Sequence, residues 1–258
     1  MIFVDLFLIF ILGASLGSFA NVCIYRLPKN TQIISGRSFC LRCKKKLNWF
    51  DNLPIISYLF LSGKCRKCKK IIPLRYLIVE IITGITFLLI YINFNNFLTI
   101  IFLSILSLLF IIIFFIDLEN FIIPDSLNIS IMALALSKNF LPISNTSFIQ
   151  EINQSIIGGM VGYSSIWLII YLYKVFKKVE GMGLGDAKLM AGIGLLFGWQ
   201  SVPFVLFVSA ILGLIFVLPS LINKQKNMRS EIPFGPFIIV ACLIYFIYGD
   251  FLYSLILV

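Results

Sequence analysis

The chain has 258 residues, 60% of them hydrophobic and 12% charged, with a mean hydropathy of +1.03. Soluble domains carry about 45–50% apolar and about 25% charged residues, so an ordinary soluble domain, a disordered chain and a secreted disulfide scaffold are all excluded. The net charge is +10 and there is no histidine, which removes imidazole-based nucleophiles and His-ligated metals.

Eight apolar segments follow in chain order, near residues 2–23, 76–93, 97–116, 121–137, 155–173, 184–199, 201–222 and 232–257. Most approach the roughly 20 residues that cross about 30 Å of hydrocarbon as a helix. The fourth and sixth are short and carry Pro124, Asp125 and Asp186 near their starts. The first reads as a retained helix, because no basic stretch precedes it and no small-residue cleavage site follows. The expected fold is an all-α polytopic membrane protein of about eight transmembrane helices. Its expected parts are a first helix at 1–23, a soluble loop at 24–75 and a membrane domain at 76–258.

Charge sets the expected orientation. Thirteen of the 21 Lys and Arg residues lie between Arg26 and Arg75, where Asp51 is the one acid. The connections after the fifth and seventh segments add Lys174, Lys177 and Lys178, then Lys224, Lys226 and Arg229, whereas the opposite connections hold Lys138 alone. The positive-inside rule places the basic connections in the cytoplasm and both termini outside. The charge therefore reads as topology and contact with anionic lipid, with no nucleic-acid partner.

The soluble loop contains Cys40-Leu41-Arg42-Cys43 and Cys65-Arg66-Lys67-Cys68, two C-x-x-C knuckles separated by 21 residues. Each offers two thiolates from one tight turn, and together they complete a tetrahedron for Zn2+; the gap lies just beyond the common range of about 15–20. A ribbon of about 50 residues has too little core to fold readily alone, a physical reason for a metal. Four protein ligands leave no open position, so the zinc would be structural. Reduced unliganded thiols, or redox cysteines, are the alternative. Cys23 and Cys242 read as buried packing residues.

Ionisable groups at membrane depth are costly and therefore candidates for function. Asp117 ends the third segment, and Asp186 opens the sixth within Gly181-Met182-Gly183-Leu184-Gly185-Asp186-Ala187-Lys188. Both are expected on the cytoplasmic side, where two carboxylates sharing a proton can activate water and protonate a leaving amine. Gly183 and Gly185 allow backbone conformations and close approaches denied to other residues. The competing readings are a solvated Asp117 and an Asp186 that caps its helix. Asp125 competes with Asp117 for the catalytic role or supports the site as a polar group, although after Pro124 it reads more as a helix-start residue; Glu80 reads as either a charge paired with Arg75 or part of a polar site. Lys188 either tunes Asp186 or snorkels.

These motifs resemble the bacterial type IV prepilin peptidases, membrane aspartic proteases of the GxGD type. The resemblance runs from Gly13-Ala14-Ser15-Leu16-Gly17-Ser18 through both knuckles, Asn52-Leu53-Pro54-Ile55 and Arg75-Tyr76-Leu77-Ile78-Val79-Glu80. It continues through Asp117 with Ile123-Pro124-Asp125, the glycine-rich stretch before Asp186, and Ile232-Pro233-Phe234-Gly235-Pro236. It implies that Asp117 and Asp186 are the catalytic pair, in a bacterial cytoplasmic membrane with the active site facing the cytoplasm. It implies substrates that are prepilins or pseudopilins, with a basic leader and an apolar helix left in the bilayer. It also implies N-methylation of the new terminus with S-adenosylmethionine, for which the residues themselves display no recognisable donor site. The first knuckle departs from the family pattern in having Leu41 where Pro is frequent, which bears on turn rigidity. A peptidase without methylation and an ion-coupled transporter are the alternatives. Because the basic loop repels a basic leader, Glu80, Glu119 and the aspartates are the expected attractants.

Overall fold

The computed structural model describes residues 2–32, 39–40, 42–46, 48–143, 151–178, 182–222 and 232–256. Gly181 and the cations Lys224, Lys226 and Arg229 lie outside the described residues. Among the described residues the helices are α1 (Ile2–Arg26), α2 (Ile56–Phe60), α3 (Arg75–Asn93), α4 (Phe97–Asn120), α5 (Asp125–Ser137), α6 (Ile152–Lys177), α7 (Leu184–Phe197), α8 (Ser201–Ile222) and α9 (Gly235–Ile256). Extended pairing among them is limited to two isolated bridges, Phe39 with Lys46 and Lys64 with Ile71. Each of the eight apolar segments contains a helix, and the cysteine-bearing loop joins α1 to α3.

Five helices, α1, α3, α4, α6 and α8, are long and apolar enough to cross a bilayer. Large apolar side chains stand on their outer faces, with Phe7 63%, Phe97 73% and Phe207 67% exposed. Water would penalise such surfaces and hydrocarbon does not, so the chain is a multi-pass membrane protein. The helices α5 and α7, of 13 and 14 residues, reach only about 20 Å. The second of these is internal: ten of its residues are buried, and α5 and α6 pack along it.

The chain forms two compact units, residues 1–112 and 113–258, with α4 contributing to both. In the first, α1 and α3 cross at van der Waals contact. A Cβ on Gly17 would stand 2.8 Å from the Glu80 Cα, and one on Gly13 would stand 2.9 Å from the Gly84 Cα. The Asn21 side chain donates to the Tyr76 carbonyl at 3.1 Å, adding a polar tie between the two helices. In the second, Gly158 and Gly162 of α6 meet Gly194 and Met190 of α7. A Cβ on Gly158 would lie 2.2 Å from the Gly194 carbonyl oxygen, so this small-residue seam admits no larger side chain.

Candidate active site and metal site

Three helix ends of the second unit build the acidic site. Asp117 lies in the last turn of α4, is 4% exposed, and accepts the Gly235 N–H on Oδ2 at 2.9 Å. Gly235 opens α9, so this carboxylate occupies a helix N-terminus, where free N–H groups and the macrodipole favour an anion. A Cβ on Gly235 would stand 2.8 Å from that same oxygen, so a larger residue there must displace the carboxylate.

Asp186 lies in the first turn of α7 and is 8% exposed. The N-cap of α7 is Gly183, whose N–H donates back to the Asp186 carboxylate. This reciprocal arrangement is half of a capping box, with Asp186 in the third helical position rather than at the cap itself. The two aspartates are close enough to repel one another. Two buried carboxylates from separate helices, 69 positions apart in sequence, thus converge on one place.

The glycines around Asp186 play different parts. Gly185 is pressed against the α4–α5 connection: a Cβ there would meet the Ile123 Cβ at 3.0 Å, and its carbonyl accepts Asn128 Nδ2 at 3.2 Å. Gly183 is exposed, and a Cβ built there would make an ordinary van der Waals contact with Asp186 Oδ2 at 3.7 Å.

The remaining acidic and basic candidates separate from the pair. Lys188 contacts Asp125 Oδ1 at 2.6 Å, tying the N-terminal half of α7 to the first residue of α5. Glu80 belongs to the first unit and is buried. Its Oε2 accepts the Ile55 N–H at 2.7 Å, and the Ser18 hydroxyl donates to the same carboxylate. Ile55 has φ +61° and ψ −52°, and the Ile56 N–H turns back to the Pro54 carbonyl. A β-branched residue in that strained turn persists only where its surroundings hold it, and Glu80 supplies one such hold.

The two knuckles are built alike. Cys40 N–H donates to Lys45 O at 3.0 Å and Lys44 N–H to Cys40 O at 2.8 Å; Cys65 N–H donates to Lys70 O at 2.9 Å and Lys69 N–H to Cys65 O at 2.8 Å. Lys44 and Lys69 both take φ +55° as the chain turns out of each knuckle. The four sulfurs lie within 4.8 Å of one another, and Cys40 Sγ stands 3.8 Å from Cys68 Sγ. A disulfide requires about 2.05 Å. A tetrahedron with Zn–S of about 2.3 Å has edges of about 3.8 Å, so the donor set fits Zn2+.

At Cys68 the Lys70 N–H lowers the thiol pKa, but desolvation and hydrogen bonds with Cys65, Cys40 and Cys43 outweigh it and push the thiol up to about 11. The Cys68 thiol thus resists ionisation until a cation joins it. Cys23 and Cys242 are buried and apart from this cluster.

The sequence did not mark two residues as partners of the site. Asn128 reads as an ordinary polar residue in a short helix. Gly235 lies 118 positions beyond Asp117, and its one clue is the Gly235-Pro236 helix start, which leaves N–H groups free for an acceptor.

Known proteins match along almost the whole chain. Residues 11–94 match the bacterial peptidase A24 N-terminal domain, and residues 104–218 match the type IV leader peptidase family. The protein named prepilin leader peptidase/N-methyltransferase in Vibrio cholerae serotype O1 is 34% identical, over 95% of this chain and 98% of the relative. The protein of that name in Dichelobacter nodosus is 31% identical over 95% and 92%. Its namesake in Aeromonas salmonicida is 29% identical over 94% and 90%. No solved structure matches. With both of its compact units covered by these matches, the chain belongs to the type IV leader peptidase family.

Proposed function

We propose that the chain is an aspartic endopeptidase that removes the basic leader of type IV prepilins and pseudopilins and then N-methylates the new terminus. The observation that carries the peptidase half is the convergence of Asp117 and Asp186, both buried and both held by helix N-terminal N–H groups. The names of the relatives carry the methyltransferase half.

The pair works with one proton between its two carboxylates. The ionised member takes a proton from water, and the protonated member donates a hydrogen bond to the scissile carbonyl. The tetrahedral adduct then collapses as the leaving amine gains a proton. The Gly235 N–H holds Asp117 in register, the Gly183 N–H holds Asp186, and the exposed Gly183 backbone offers an extended peptide an approach beside them.

The site is assigned to the cytoplasmic face of a bacterial inner membrane. Lys174, Lys177 and Lys178 end α6 just before the α7 turn that bears Asp186, as the positive-inside rule requires of a cytoplasmic connection. The prepilin's apolar helix stays in lipid while its leader reaches the acids. Glu119, exposed two positions after Asp117, adds negative charge for a basic leader. Cys40, Cys43, Cys65 and Cys68 would hold a structural Zn2+, which supplies cross-linking of the loop and no open coordination position.

The test is coexpression with a model prepilin and intact-mass measurement of its product. Loss of the leader mass together with one added methyl is expected. Full-length prepilin alone would refute the reading.

A further inference from the structure

The α4–α5 connection, Phe121-Ile122-Ile123-Pro124, touches the backbone behind both carboxylates. It leaves α4 by a reversal: the Phe121 N–H donates to the Asp117 carbonyl at 3.0 Å, and Phe121 takes φ +56°. Ile123 is thereby turned back against two glycines. Its Cβ would stand 3.0 Å from a Cβ on Gly185, the residue before Asp186. Its Cδ1 would stand 3.1 Å from a Cβ on Gly235, whose N–H holds Asp117. One side chain therefore reaches from the support of one aspartate to the support of the other.

Ile123 is stiff enough to act as a gauge. Pro124 confines the residue before it to extended backbone, and branching at Cβ restricts the first side-chain torsion. Asn128 then fastens Gly185. It is fully buried, and its Nδ2 donates to the Gly185 carbonyl at 3.2 Å. That acceptor fixes the orientation of the amide and leaves Oδ1 buried with no hydrogen-bond partner among the described residues. An unpaired buried acceptor is unfavourable, so stability alone disfavours Asn128 against an apolar residue of similar size. Such local conflicts are expected where a residue serves a site.

We infer that Ile123 is a positioning residue that sets the separation of Asp117 and Asp186, with Asn128 clamping Gly185 in place. The inference rests on the peptidase half of the proposed function. Two carboxylates share one proton only over a short range of separations, and their mutual repulsion grows as they approach. A spacer between their backbone supports therefore governs both the rate and the acidities of the pair, without touching substrate.

The experiment measures kcat and KM for leader cleavage of a model prepilin by full-length protein in nanodiscs across pH, with thermal midpoints on the same preparations. Ile123→Val removes only Cδ1, the atom facing Gly235, and keeps the branched Cβ against Gly185. Ile131→Val deletes the same methyl from a fully buried residue of α5 that packs on Gly192, six positions along α7 from Asp186. Ile123→Val is expected to lower kcat about tenfold with KM within about twofold of the parent. The acidic and alkaline limbs of its pH profile are expected to move apart as the carboxylates approach. Glu119, Asp125, Lys188 and the lysines that end α6 are unchanged in every variant, so a changed profile reports the distance within the pair. Ile131→Val is expected to keep kcat within about twofold and both limbs in place. Asn128→Leu removes the amide and its unpaired oxygen together, and is expected to lower kcat about tenfold with a thermal midpoint at or above the parent's.

Parent-level kcat and limbs in Ile123→Val, or an equal displacement of the limbs in Ile131→Val, overturn the spacer. Parent-level kcat or a lowered midpoint in Asn128→Leu overturns the clamp. Aspartate-dependent cleavage in the parent, beside an unaltered Ile123→Val, refutes the inference alone. A parent protein that leaves the prepilin at full mass refutes the peptidase reading and the inference with it.

Discussion

Asp117 Oδ2 and the Gly235 N–H, 2.9 Å apart, join the end of α4 to the beginning of α9. A side chain at 235 must displace this carboxylate, because a Cβ would come within 2.8 Å of its oxygen. Replacing Gly235 by Ala therefore displaces a proposed catalytic group without altering its chemistry. Misplacement by about 1 Å can cost about 100-fold in rate, so Gly235→Ala should lower kcat for leader cleavage by about that factor. Single-turnover cleavage in detergent checks this; a rate within threefold of the parent would contradict it.

Glu80 is expected to act on the loop rather than on peptide chemistry. Glu80→Ala leaves the Ile55 N–H without its carboxylate partner and removes one restraint on a residue at φ +61°. The loss of such a buried partner costs about 1–3 kcal/mol. Trypsin should then cut the 24–75 loop faster, and the thermal midpoint should fall. Unchanged digestion would show that Ile55 is held by other contacts.

Metal content gives a separate test of the knuckles. One zinc per chain is expected by elemental analysis, falling to background in Cys65→Ser. Ligation requires thiolates, and Cys68 starts from a thiol raised to about 11, so binding must release protons. Apparent affinity should therefore rise with pH, by about tenfold per unit for each proton released, and zinc should leave as the solution is acidified. Affinity independent of pH between neutral and alkaline buffers would contradict thiolate ligation.

The ion pair of Lys188 with Asp125 is exposed, at 35% and 64% of the two side chains. Such pairs contribute about 0–1 kcal/mol. Lys188→Met should accordingly change stability by no more than that and leave cleavage within a few-fold. A loss of activity comparable to Gly235→Ala would give Lys188 a role in the chemistry that its contact with Asp125 does not suggest.

Helices were the most legible part of the fold, because runs such as Phe97–Asn120 are long and apolar enough to declare themselves. The short α5 and α7 were visible as apolar segments, but their place inside the second unit depends on the Gly158–Gly194 and Gly162–Met190 contacts, which pair residues far apart in sequence. The knuckles were legible for a local reason: each C-x-x-C turn closes on itself through hydrogen bonds only a few residues long. Asp117 and Asp186 were conspicuous because carboxylates are rare in apolar sequence. Their backbone supports were less so. Gly183 N–H is a short-range contact, whereas Gly235 N–H arrives from another helix, and a backbone donor leaves no residue-type signature. The same holds for the Asn128 amide on the Gly185 carbonyl.

The most direct measurement of the central claim is leader cleavage by Asp117→Asn and Asp186→Asn, each inserted in membranes at the parent level and coexpressed with a model prepilin. Amides keep the size of the side chains but can neither hold nor release the catalytic proton. The account predicts that each single variant lowers cleavage by about 1,000-fold or more, leaving the prepilin at its full mass. Cleavage at the parent rate by either variant would contradict it.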